Sequence, residues 1–283
     1  MSRKAYVGMA TCVLMLAGAA LSLTDKTFVI GSGIREDVFP DRAIAFLDKN
    51  NIQGRMFNSY GLGGYIIWHA PERKVFIDGR NRRLYSTDLD YSYLEMFKKH
   101  DAWKEAENRW GFDYVLLEYN PRTKSFPKHL MENMDWALVY WDNHSIVYLK
   151  RIEKNLPVIE TYEYKVTKPT FYDFSYLDAY LHSGVSPQLI RDIDREILLN
   201  PSNQEPRLAK VFLLYNMGKS YYDEALKELE ICQTLKPDLS MNHSALAYIL
   251  FEKGLIDRAK DEVKKALELD PEDPGANYLK DKL

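Results

Sequence analysis

The stretch SMNHSALAYILFEKGLIDRAKDEVKKALELDPED, residues 240–273, decides how the C-terminal half of the chain is read. Small and apolar residues recur in it three and four positions apart, the spacing of two amphipathic helices. Ala247 falls in the first helix and Ala259, Val263 and Ala266 in the second, with Gly254 between them and Pro271 at the close. Pro237 stands 34 residues before Pro271, and both prolines follow an apolar helical run (TLKP and ELDP). With the prolines aligned, Tyr222 meets Ile256, Ala225 meets Ala259, Leu229 meets Val263 and Cys232 meets Ala266. Small side chains at fixed places let one helix approach the next, so Cys232 reads as a small buried residue rather than a nucleophile.

A 34-residue period of this kind resembles the tetratricopeptide repeat. Three units are expected, at 170–203, 206–239 and 240–273, with a short cap to residue 283. The first is degenerate: Gly184 and Pro201 keep their places, but Leu189 and Glu196 stand where small residues belong. Three helix pairs meet the usual minimum for a stable stack. The resemblance implies an all-α tetratricopeptide-repeat stack whose first helices line a concave, partner-binding face. By repeat position it puts Asp178, Arg207, Lys210, Leu214, Met217, Tyr248, Phe251 and Glu252 on that face. Basic residues beside aromatics there would hold the carboxylate and side chains of a protein partner's peptide. The competing reading has the short array packing on the preceding domain and burying its own groove.

Residues 152–169, with Pro157 and Pro169, read as an extended connector. Before it, residues 36–151 alternate helical and strand patterns: a helix opened by Pro40, strands at 55–59, 74–77 and 113–119, helical stretches at 61–70 and 89–110, and a hairpin from 136 to 150. That order predicts an α/β three-layer domain, a mostly parallel sheet with an antiparallel edge hairpin.

FNSYGLGGYIIW at 57–68, VFIDGR at 75–80 and Tyr85 resemble the extracytoplasmic C-terminal domain of bacterial polytopic membrane proteins similar to C-superfamily glycosyltransferases. Asn58, Gly63, Gly64, Asp78, Arg80 and Tyr85 are the residues of this motif, ligand-binding or structural. Arg80 suits bidentate capture of a phosphate or carboxylate at a strand end; alternatively Asp78 pairs with it and holds the glycine-rich turn. Such transferases carry their catalytic acid in a loop between early transmembrane helices. This chain has one apolar span, which points to a detached accessory module.

That span is AYVGMATCVLMLAGAALSL, residues 5–23, within an N-terminal segment 1–28. As a helix it reaches about 28 Å, close to a hydrocarbon core of about 30 Å. The length favours a transmembrane anchor over a cleaved signal peptide. Arg3 and Lys4 before it predict a cytoplasmic N-terminus, with the remainder periplasmic or extracellular at a bacterial inner membrane.

Across all 283 residues, 38 Lys plus Arg against 41 Asp plus Glu give a net charge of −3, which removes the global case for a nucleic-acid partner. Two cysteines make no disulfide framework, and the six histidines form no zinc-binding spacing. Neither a complete dinucleotide or P-loop glycine motif nor a serine nucleophile elbow occurs, so no cofactor or metal is expected. The expected function is a membrane-anchored extracytoplasmic scaffold in an envelope or surface-glycan assembly. The alternative is an accessory subunit of a split membrane glycosyltransferase, its α/β domain contacting glycan or lipid-linked sugar and a polytopic subunit supplying the membrane part. A third reading makes the chain a fragment of a longer gene product, with Met1 an internal start.

Overall fold

Pro40 sets the first turn of helix α1, Asp41–Lys49, and the helix buries Ala43, Ile44 and Leu47 along one stripe. The architecture comes from a computed structural model that describes residues 39–80, 87–119 and 128–283, with side chains described for all of these except 87–91 and 128. The proposed anchor, residues 5–23, and Tyr85 lie outside the described residues. No helix among the described residues is long and apolar enough to cross a membrane.

Strand β1, Met56–Asn58, leads into helix α2, Tyr60–His69; helices α3, Thr87–Lys98, and α4, His100–Trp110, precede strand β2, Tyr114–Glu118. Strands β3, Trp136–Trp141, and β4, Ser145–Lys150, form the expected hairpin. Sheet order is β1-β2-β4-β3, with β1 parallel to β2 and the other two pairings antiparallel. Alternate strand residues feed two cores. Phe57, Val115, Leu117 and Tyr148 pack with Met96 of α3 and Trp103 of α4 on one face. Tyr114, Leu116, Val147 and Leu149 pack with Ile44 of α1 and Ile66 of α2 on the other. A register shift between Leu138 and Tyr140 sends Val139 and Tyr140 to the same face and returns Trp141 to the first.

The three layers are therefore present, but the sheet is mixed rather than mostly parallel. The difference lies in Lys74–Ile77, expected as a buried strand, which joins no ladder. A side chain takes the place of a neighbouring strand there. The Asn58 carboxamide accepts from Phe76 N at 2.8 Å and donates to Ile77 O at 2.8 Å, so these buried backbone groups are satisfied without strand pairing.

The expected extended connector contains helix α5, Leu156–Tyr162, whose Ile159 enters the second core. Seven-helix order then follows: α6, Asp178–Ser183; α7, Pro187–Leu199; α8, Glu205–Met217; α9, Tyr222–Leu235; α10, Ser240–Glu252; α11, Ile256–Leu269; and α12, Pro274–Lys280. The pairs α8–α9 and α10–α11 realise the 34-residue repeat read from the sequence. Ala225, Cys232, Ala247, Ala259, Ala266 and Ala276 are fully buried where helices meet. Gly218 and Gly254 turn the chain within each pair at φ of 107° and 76°, a region that glycine enters without steric cost.

Candidate functional site

First helices of successive pairs lie side by side, so residues one turn apart on each form a common wall. Leu208, Val211, Phe212 and Tyr215 of α8 face Met241, Ala245 and Tyr248 of α10 across a groove of about 600 Å³. Pro274 and Gly275 at the start of α12, and Tyr172 and Phe174, also line it. Asp273 caps α12 by accepting from Ala276 N at 2.9 Å, and its buried carboxylate is the single charged group in the lining. The remaining lining is aromatic and aliphatic, with Asn216 and Ser244 as polar points.

Tyr172 and Phe174 reach the groove from a strap, residues 163–174, that crosses from the sheet side. Two buried glutamates hold this strap. Glu196 of α7 accepts from the backbone N–H groups of Lys165, Val166 and Thr167 at 2.5, 2.8 and 2.8 Å. Glu205, at the start of α8, accepts from Thr170 N at 3.1 Å and Tyr172 N at 2.9 Å, and from the Tyr119 hydroxyl of the sheet side. Burial pushes the Glu205 carboxyl up to about 7 despite these donors, and pushes Glu196 up as well. Within the Glu205 clamp Phe171 and Tyr172 take left-handed backbone, at φ of 54° and 67°. Each costs roughly 1–2 kcal/mol. The clamp offsets that strain and fixes the direction of the Tyr172 ring, whose hydroxyl accepts from Gln204 and Lys236, both at 3.2 Å.

Of the eight residues assigned to the groove by repeat position, only Tyr248 lines it. Asp178 is exposed at the start of α6. Arg207 and Lys210 both turn toward the second helix of their pair. Arg207 donates to Glu228 at 2.7 Å, and the Lys210 ammonium lies 2.8 Å from Asp194, 2.8 Å from Glu224 and 3.2 Å from Glu228. Burial alone would lower the Lys210 ammonium, but the three carboxylates outweigh it and hold the group above its ordinary value. Leu214 is buried in the core between the helices, with Met217 and Phe251 packed against it. Glu252 lies partly buried one turn beyond Tyr248. The residues that line this groove on α8 stand about one residue's rotation, near 100°, from those assigned by repeat position. On α8, Leu208, Val211 and Tyr215 form an apolar stripe that belongs to the core between the helices and also walls the groove.

The motif in the α/β part is drawn together around one chain crossing. Asn58 is fully buried and binds the 76–77 backbone. Gly63 allows α2 to lie against that segment, since a Cβ would stand 2.2 Å from Ile77 O. Gly64 faces open space. Asp78 is buried and accepts from Arg80 N, Nε and Nη2, each at 2.9 Å. Cys232 is buried with its thiol pushed up to about 12 by burial. No group of acidic, histidine or cysteine side chains able to hold a metal ion occurs among the described residues.

No family model matches the chain, and no curated protein sequence matches it. Among solved structures, the first TPR domain of human RPAP3 aligns at 16% identity and a TM-score of 0.34, covering 38% of this chain and 84% of that one. YrrB, described as a TPR protein with an unusual peptide-binding site, aligns at 19% identity and a TM-score of 0.34, over 46% of this chain and 62% of its own. MamA from MSR-1 aligns at 24% identity and a TM-score of 0.30, over 35% and 59%.

Proposed function

We propose that the protein is a scaffold whose repeat groove holds an extended segment of a protein partner, and that residues 5–23 anchor it in a membrane with the groove on the extracytoplasmic side. The observation that carries the reading is the groove itself: about 600 Å³, walled by aromatic rings from separate elements, and left open by the packing of α8, α10 and α12. Concave, mostly apolar surfaces with a few polar points are where proteins take ligands and peptides. A surface-glycan or envelope assembly is the setting that fits an anchored scaffold carrying the 57–80 motif. The glycan-contacting alternative is less well supported, since the carboxylate of Asp78 and the guanidinium of Arg80 are engaged with each other.

Affinity purification of the full chain in mild detergent tests the reading. A stoichiometric partner is expected with the wild type and lost with Ala245→Trp, which fills the groove without adding charge, while the thermal midpoint stays close to wild type. A partner retained by Ala245→Trp, or a full-length chain that purifies alone and turns over an activated sugar, overturns it. A reporter fused after Arg35 checks orientation separately, and activity of a cytoplasmic reporter there would refute the extracytoplasmic assignment.

A further inference from the structure

The sequence expectation gave the partner-binding face two cations, Arg207 and Lys210. Both are spent inside the stack on Glu228 and its neighbours, and no Lys, Arg or His lines the groove. The one charged group in the lining is the Asp273 carboxylate.

A file of four tyrosines runs along this surface. Tyr215 stacks on Tyr222 with centroids 5.6 Å apart and meets Tyr248 edge-on at 6.0 Å; Tyr248 in turn stacks on Tyr278 at 5.7 Å. Tyr215 and Tyr248 line the groove, and Tyr278 is 48% exposed. Glu252 lies one helical turn after Tyr248 and makes no ion pair among the described residues. Burial, and then the Glu252 charge, hold the Tyr215 and Tyr222 hydroxyls above the ordinary phenol value. On α10 the spacing of four residues puts Glu252 beside Tyr248 on one face of the helix.

One end of the file already holds a cation from this chain. The Lys282 ammonium lies over the Tyr278 ring, 3.9 Å from its centroid, and donates to the hydroxyl. Ring faces carry negative quadrupole density, and a partly buried carboxylate beside them adds a net charge of the same sign. Long basic side chains also offer an aliphatic stem that packs on apolar walls while the head finds the charge.

We infer that the groove selects a peptide segment bearing an arginine or lysine, with the stem against Tyr215 and Tyr248 and the cationic head directed to Glu252. The inference rests on the groove being the docking surface. Acidic segments, including a free C-terminal carboxylate presented alone, meet like charge from Glu252 and Asp273, while Lys282, at the Tyr278 end of the file, is already engaged with that hydroxyl.

A phage-displayed library of random peptides, panned on the full chain in detergent, supplies the probe. Enrichment of Arg or Lys over Asp and Glu is expected. The best peptide is then synthesised with its basic residue intact, changed to Gln, or changed to Glu, and binding is followed by fluorescence anisotropy. The Gln version should bind about fivefold to thirtyfold more weakly, the range of one partly desolvated cation–π and carboxylate contact. Glu252→Gln should shrink that difference to under about twofold, and Glu252→Lys should reverse the order so that the Glu version binds best. A merely structural role for Glu252 would weaken all three peptides alike and leave their order unchanged, which overturns the inference. Enrichment of acidic peptides overturns it too while leaving the groove reading intact. If no peptide is enriched, or if the enriched ones bind Ala245→Trp, which fills the groove without adding charge, as well as wild type, the groove reading itself falls.

Discussion

Tyr119 and Glu205, 86 residues apart, share a buried hydrogen bond that ties the sheet to the first helix of the regular repeats. The Tyr119 hydroxyl also accepts from Phe171 N at 2.8 Å, and its ring stacks on Phe171 with centroids 4.4 Å apart. One side chain therefore serves both the repeats and the strained strap. Tyr119→Phe keeps the stack but leaves the Phe171 N–H unpaired and removes one donor from a buried carboxyl. A loss of about 1–3 kcal/mol is expected in urea unfolding. A midpoint within experimental error of wild type would show that the junction does not depend on this hydroxyl.

Glu205 also makes stability depend on pH. Burial raises its folded value from 4.5 to about 7. Below pH 4.5 the group is protonated whether the chain is folded or not. As pH rises from 4.5 toward 7 the unfolded chain gives up the proton while the folded chain keeps it, so stability falls across that window and levels off above it, by about 3 kcal/mol at most. His129 acts in the opposite sense. Burial, and then His100, lower it from 6.5 to about 4, so its contribution is present above pH 6.5 and is lost as pH falls toward 4. Urea midpoints measured across this range should show Glu205→Gln flattening the fall toward neutral pH and His129→Gln flattening the acid limb. Unchanged slopes in both variants would remove these two groups from the linkage.

The helix pairs were legible because close helix approach demands small residues at fixed intervals, and Ala259, Val263 and Ala266 repeat Ala225, Leu229 and Cys232 at that interval. Strand and helix order was legible for the same kind of reason, a periodicity imposed by burial. Lys74–Ile77 misled because a buried apolar run satisfies the pattern of a strand whether its backbone partners are another strand or the side chain of Asn58. Glu196 read as a defect in the repeat. It is a specific grip on three backbone N–H groups, and nothing in a one-dimensional pattern announces a partner 29 to 31 residues away. The groove was legible only in part: repeat position points to α8 and α10, whose residues wall it, but a one-dimensional pattern does not show that Arg207 and Lys210 turn to Glu228.

The glycine pair in α2 offers a direct comparison of packing with propensity. A methyl group at Gly63 would stand 2.2 Å from Ile77 O and 2.7 Å from Asp78 Cα, both backbone atoms that cannot swing aside. At Gly64 it would meet nothing within 4 Å. Both residues are helical, so intrinsic propensity favours alanine at each by about 1 kcal/mol. Gly63→Ala is expected to lower stability by about 1–3 kcal/mol or more, whereas Gly64→Ala should raise it by about 0.5–1 kcal/mol. Similar effects from the two would mean that the crossing of α2 over the 77–78 segment is not the constraint on Gly63.

Lys210 separates the structural from the recognition role most sharply. Its side chain is 6% exposed and faces Asp194, Glu224 and Glu228, of which Glu228 is itself 14% exposed and shared with Arg207. Lys210→Met keeps the packed stem and removes the charge, leaving the carboxylates to repel one another with only Arg207 beside them. The partly exposed Asp194 and Glu224 are screened by solvent, so a loss of about 1–3 kcal/mol is expected rather than the larger cost of breaking a fully buried pair. Adding Glu228→Gln removes one of the uncompensated charges and should return part of that loss, a coupling that a double-mutant cycle measures directly. Peptide affinity should stay within about twofold of wild type in both variants, because neither side chain lines the groove. If instead Lys210→Met abolishes peptide binding while the urea midpoint holds, the lysine belongs to the recognition surface and the face assigned to the groove is the wrong one.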